Sequence, residues 1–114
     1  MKKRKATVLY LTFMIMNILL LISIALSTVL IGQFQIVRDI GNSVIAFYAA
    51  DTGIERSLMN RNNPVNISVT TLSNGASYKV VVKPRTDPSC NAKNYCIIST
   101  GTFKETKRAL RITY

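Results

Sequence analysis

The chain has 114 residues, with fifteen Lys and Arg against five Asp and Glu, two cysteines and no histidine. With no histidine, dispersed acids, no Gly-rich phosphate loop and no metal-ligand spacing, it offers no catalytic constellation; no enzyme activity, cofactor, metal or small-molecule substrate is expected. Its net charge of +10 directs attention to membranes and other anionic surfaces.

Residues 1–5 form a basic tip carrying Lys2, Lys3, Arg4 and Lys5, and the next thirty-two residues, 6–37, carry no charge. As a helix that run would rise about 48 Å, where a hydrocarbon core of about 30 Å needs only about 20 residues. A secretory signal peptide has a shorter apolar region ending at a small-residue cleavage site. A retained anchor is therefore expected, with a transmembrane helix over residues 6–34 in contact with the lipid bilayer. The cations of the tip place the N-terminus in the cytoplasm and the C-terminus outside. Beyond Val37 lie eleven cations and all five acids, an excess of +6 on the exported side, but only charges close to the span set orientation.

The helix is expected to continue through an amphipathic extension, residues 35–59. Ile36, Ile40, Val44, Phe47, Ile54 and Leu58 recur at helical spacing with polar residues between them, which predicts that this stripe, the Phe47 ring included, covers a sheet. Gly32 and Gly41 mark the turns where the helix would bend or open, and the Asn-rich segment before Pro64 ends it. Ala46, Ala49, Ala50 and Gly53 form a small-residue stripe that either another helix or the sheet could approach closely. Asp51 and Glu55, four apart, are candidates for pairing with Arg56, with sheet lysines or with a neighbouring subunit.

Residues 60–114 read as a small antiparallel β domain. Strands are expected over residues 65–72 and 77–83 around a tight Asn74-Gly75 hairpin whose two residues take positive φ, then over 95–100 and 109–114 around a loop at 101–107. A segment this small is marginal alone, so the fold class is α+β: one long N-terminal helix, transmembrane then amphipathic, packed on a four-stranded antiparallel sheet. Cys90 and Cys96 enclose five residues and suit a disulfide-clipped loop in an oxidising compartment. Unpaired small core residues are the alternative; a zinc site lacks ligands and the spacing is not that of a C-x-x-C redox pair. Asn66-Ile67-Ser68 matches a glycosylation sequon, a pattern frequent by chance.

This architecture resembles the type IV pilin-like proteins. Residues 42–58, Asn-Ser-Val-Ile-Ala-Phe-Tyr-Ala-Ala-Asp-Thr-Gly-Ile-Glu-Arg-Ser-Leu, are similar to the Ala-Phe-x-Ala-Ala-Glu-x-Gly-Ile-Glu segment of PilX-type minor pilins, with Asp51 at the first acidic position and Glu55 at the second. The resemblance implies a bacterial inner-membrane, single-pass subunit that enters, or helps to start, a pilus or pilus-like secretion filament. Its partners would be other pilin-like subunits and the pilus assembly machinery. By the same resemblance, processing would fall between Ala6 and Thr7, leaving Leu11 where major pilins carry a glutamate. That departure fits a tip or initiation subunit, or an anchored relative that does not polymerise.

Two other functions are compatible with the residues. Lys104, Lys107 and Arg108, with the other cations of the sheet region, are candidates for holding DNA or an anionic surface, as in DNA uptake or adhesion. The chain would otherwise be a single-pass anchor with a small extracytoplasmic interaction domain unrelated to pili.

Overall fold

The computed structural model describes residues 2–114. One helix, α1 (Lys2–Leu58), is followed by four strands: β1 (Ile67–Thr71), β2 (Ser77–Pro84), β3 (Tyr95–Phe103) and β4 (Thr106–Thr113). This is the α+β class expected. Helix α1 begins within the basic tip, at Lys2, and runs unbroken through Gly32 and Gly41; of the expected tip, Met1 lies outside the described residues. Residues up to Val37 form one compact unit and Arg38–Tyr114 a second.

In the first unit the helix is long and apolar enough to cross a membrane. The described side chains of residues 3–37 are exposed, Gly32 being half-buried. Its polar side chains bond back onto the same helix: Thr7 to the Lys3 carbonyl, Thr12 to Leu9, Asn17 to Phe13, Ser23 to Leu19, Ser27 to Ser23 and Thr28 to Ala25. These six side chains thereby find a partner within the segment, as a lipid environment would require of them; Tyr10, Gln33 and Gln35 make no such bond among the described residues.

The second unit is a sheet in the order β1-β2-β3-β4, each neighbour antiparallel, with the C-terminal part of α1 against one face. Alternation turns Tyr78 and Val80 of β2 and Ile97, Ser99 and Gly101 of β3 to that face, and all five are buried. Opposite them lie Ala46, Ala49, Ala50, Gly53, Ile54 and Ser57, also buried. The closest approach is at Gly101, where a Cβ would collide with the Ala46 carbonyl and the Ala50 amide nitrogen. Helix backbone here meets strand backbone with no side chain between them, which only Gly against Ala permits. At Gly53 a Cβ would run into Ser99 and Tyr78.

The covering stripe is therefore not the one that hydrophobic periodicity predicts. Of its six residues Ile54 is buried and Leu58 partly so, while Ile36, Ile40, Val44 and Phe47 remain 45–60% exposed. Large side chains at those positions would hold the two backbones apart, whereas the alanine and glycine stripe lets them touch. Of the two partners open to that stripe, the sheet of the same chain takes it.

The turns also differ from expectation. In the first hairpin Leu72 pairs with Ala76 around three residues; the Leu72 carbonyl accepts from the Gly75 amide and Asn74 Oδ1 from the Ala76 amide. Only Gly75 takes a positive φ, 84°, as in a turn closed by a left-handed glycine rather than a two-residue Asn-Gly turn. The second hairpin is tighter than the expected 101–107 loop. Phe103 pairs with Thr106 across Lys104 and Glu105, with Lys104 at φ 52°, and Gly101 sits within β3, opposite Arg108. After Leu58 the chain tightens through a bond from the Asn60 amide to the Ser57 carbonyl. The C-terminus is tied down there by the Tyr114 hydroxyl, which donates to the Arg61 carbonyl at 2.8 Å.

Adding a side chain at the closest approach should be costly. Gly101→Val is expected to destabilise the second unit by about 1–3 kcal/mol, the usual range for overpacking, whereas Phe47→Ala, at an exposed position, should change stability by less than about 1 kcal/mol. Denaturant titration of both variants followed by circular dichroism checks the order; equal losses would contradict the burial described above.

Candidate interaction surface

Helix α1 presents to solvent what it does not give to the sheet. Ile40, Val44, Phe47 and Tyr48 recur at spacings of three or four, so they share one face, and they are 59%, 47%, 45% and 63% exposed. Phe47 and Tyr48 meet edge to face with ring centroids 6.1 Å apart. Asp51 and Glu55 continue this face towards the helix C-terminus, Asp51 half-buried and Glu55 exposed. The expected pairing of these two acids with Arg56 or sheet lysines is not formed: the one ion pair among the described residues joins Lys83 to Asp87 at 4.0 Å. Arg56 instead lies over the Tyr78 ring, 5.9 Å from its centroid. The exposed face thus combines apolar area with two carboxylates that form no ion pair among the described residues.

The candidate anion-binding residues Lys104, Lys107 and Arg108 do not form one patch: Lys104 and Arg108 line one cleft and Lys107 a separate groove. Lys104 occupies the tip of the β3–β4 turn, Lys107 opposes Thr102 on the outward face of the sheet, and Arg108 opposes Gly101 on the helix side. There its Nε donates to Ser43 Oγ at 2.6 Å. Strand alternation separates adjacent residues onto opposite faces, which a count of nearby cations does not register. The outward face instead gathers Lys79, Lys83, Lys107 and Arg111 by register, around a shallow groove of about 240 Å³ lined by Lys79, Thr100, Thr102 and Lys107 among others.

Cys90 and Cys96 form a disulfide, with S–S 2.03 Å and Cα–Cα 5.6 Å. Cys96 is in β3 and Cys90 in the loop after β2, so the bond fastens that loop to the sheet. Within the loop the Ser89 amide and hydroxyl both donate to the Asp87 carboxylate, and Lys83 Nζ donates to Ser89 Oγ at 2.7 Å. These donors, the Ser89 hydroxyl first, hold the Asp87 pKa below its ordinary value, with nearby Lys83 adding to them against slight desolvation. Arg111 closes the loop from the sheet by donating to the Ser89 carbonyl at 2.9 Å.

Ala6 and Thr7 lie in the first turns of α1, and Leu11 one turn further along. Comparison with protein-family models, with curated proteins and with solved structures finds no match for this chain.

Two outcomes follow for the loop. Cys90→Ser should lower stability by about 2 kcal/mol, the chain-entropy value for so short a closed loop, and unreduced protein should weigh less than reduced protein by the two thiol hydrogens in mass spectrometry. The Asp87 contribution is present above the ordinary carboxylate range near pH 4 and is lost as pH falls through its lower folded pKa. Asp87→Asn should therefore flatten the acid limb of the stability profile and leave its slope above pH ~5 unchanged. Denaturant midpoints measured across this range read the difference.

Proposed function

We propose that this chain is a membrane-anchored, pilin-like minor subunit whose long helix associates with the helices of other such subunits in assembling, or forming the tip of, a pilus or pilus-like secretion filament. The fold is compatible with that reading: a helix apolar enough to cross a membrane continues into a part packed on a small antiparallel sheet. The observation that carries it is the exposed face of Ile40, Val44, Phe47 and Tyr48. A helix that used all its large apolar residues for its own core would leave nothing for neighbours; this one meets the sheet mainly through alanines, with Ile54 buried beside them, and turns Ile40, Val44 and Phe47 out. Contiguous exposed apolar area on a helix marks an interaction site, and Asp51 and Glu55 beside it add charge complementarity, which favours specificity over raw affinity. In this reading the helix lies with its N-terminus in the cytoplasm and its sheet outside the inner membrane, with Ala6 and Thr7 flanking the candidate processing point.

A DNA-binding or adhesive role is the second reading, favoured by the clustering of Lys79, Lys83, Lys107 and Arg111 on the outward sheet face. Lys83 is partly neutralised by Asp87 and Arg111 is engaged by the Ser89 carbonyl, which leaves Lys79 and Lys107 uncommitted for phosphates.

Charge placed in the exposed stripe separates the two. Val44→Glu with Phe47→Glu should abolish co-purification with other pilin-like subunits while leaving membrane fractionation and the thermal melt unchanged, because both positions are exposed. Lys79→Glu with Lys107→Glu should leave co-purification intact and, on the second reading, remove a salt-dependent affinity for DNA. Undiminished co-purification of the Val44 and Phe47 variant would refute the subunit proposal.

A further inference from the structure

A cleft of the second unit, about 630 Å³, is lined by Arg38, Asp39 and Asn42 of α1 and by Lys104, Glu105, Thr106 and Arg108 of the β3–β4 hairpin. It holds charges of both signs, and none of them forms an ion pair, since the one pair among the described residues is Lys83 with Asp87. The cations are set in place by independent contacts. Arg108 gives its Nε to Ser43, leaving its terminal nitrogens free, and Lys104 keeps a left-handed φ of 52° with its ammonium 5.5 Å from the Phe103 ring centroid. That φ is the one a two-residue hairpin turn requires, so the strand pairing fixes the position of Lys104.

We propose that this cleft binds the headgroup of a zwitterionic aminophospholipid, its phosphate held by Arg38, Lys104 and Arg108 and its primary ammonium by Asp39 and Glu105. The inference rests on the membrane-anchored reading above. Arg38 is the first charged residue after the uncharged run. If the span ends at Phe34, Arg38 follows by about 6 Å of helical rise, within a headgroup layer about 5–7 Å deep on each side of the hydrocarbon. A purely anionic ligand would satisfy the three cations but face the two carboxylates, whereas a ligand with both signs matches the five groups together. The guanidinium forks of Arg38 and Arg108 suit a phosphate. A primary ammonium supplies three donors to the carboxylates, which a quaternary choline group lacks. The Asn42 amide and Thr106 hydroxyl add uncharged donors at the same cleft.

The test uses the full chain reconstituted in bilayers containing equal amounts of phosphatidylethanolamine, phosphatidylcholine and phosphatidylglycerol, extracted into an uncharged detergent, with the retained lipid quantified by mass spectrometry. Phosphatidylethanolamine should be enriched over phosphatidylcholine by about tenfold or more, the worth of one charge-assisted hydrogen bond at the low end of its range. Arg38→Gln with Lys104→Gln should abolish retention of phospholipid. Asp39→Asn with Glu105→Gln should lose the preference for phosphatidylethanolamine and retain phosphatidylglycerol instead; all four positions are exposed, so the fold is kept. Equal retention of the three lipids, a wild-type preference for phosphatidylglycerol, or unchanged selectivity in both double variants would overturn the proposal. Fractionation of the chain in cells is read alongside. A membrane-bound chain without lipid preference ends the headgroup assignment alone, while a chain released as soluble protein by carbonate wash ends the anchoring reading and the headgroup assignment together.

Discussion

The contact between helix and strand backbone at Ala46, Ala50 and Gly101 is the constraint from which the rest of the second unit follows. Because no side chain separates α1 from β3 there, every position along the line of contact must be small: Ala46, Ala49, Ala50, Gly53 and Ser57 on the helix, Ser99 and Gly101 on the strand. Most of the larger buried residues, Tyr78, Val80 and Ile97, come from the sheet and pack beside that line, with Ile54 the one large buried residue from the helix. Each contributes on the order of 1.5–3 kcal/mol by leaving water, so the sheet supplies bulk and the helix supplies proximity. Closeness was achieved partly at the expense of polarity: the hydroxyls of Ser57, Tyr78 and Ser99 are buried without a partner among the described residues. Such groups cost about 1–3 kcal/mol each, and at Ser57 and Ser99 small size has outweighed that penalty.

Much of this was legible in the sequence, and the part that was not fails for one reason. The uncharged run, the helix continuing past it, four strands in hairpin order and the Cys90–Cys96 pair could all be read from charge, period and spacing. Gly101 was the obstacle. Taken as punctuation it opens a loop at 101–107, which shortens β3 and β4; taken as a strand glycine it marks close approach by another backbone. With β3 cut short, nothing in the sheet called for small residues opposite it, and hydrophobic periodicity assigned the contact to Ile36, Ile40, Val44 and Phe47. The two errors are one error, and the alanine and glycine spacing at 46, 49, 50 and 53 was the signal that would have corrected it. The split of Lys104, Lys107 and Arg108 between turn tip, outward face and helix face follows from the same misplaced loop, because residues without an assigned strand have no alternation.

Using small residues for the internal contact has a consequence for the exposed surface. A soluble helix commonly hides a stripe of about three residues in seven and shows charge on the remainder. Here the stripe against the sheet is mostly small, and the large apolar residues Ile40, Val44 and Phe47 are left outside, following an uncharged segment in which six polar side chains bond back onto the helix. Contiguous hydrophobic surface left out of a core that could have used it is the kind that lipid or protein commonly covers. Arg38 and Asp39 interrupt the apolar sequence before Ile40 and place the next charges ahead of Val44 and Phe47. Lipid is thus a poor cover for those residues and another helix a better one.

The two faces of α1 also carry different experimental meaning. A bulky change on the small-residue face, such as Ala50→Leu, would separate α1 from β3 and loosen the sheet before it touched any neighbour, so a loss of assembly there reports folding. A change at Val44 or Phe47 leaves the Gly101 contact alone and alters only what a neighbouring helix would meet. The alanine stripe that looks most like a helix-packing motif in the sequence is accordingly the wrong place to probe association. What supports a subunit role is the set of side chains that the chain's own core leaves uncovered.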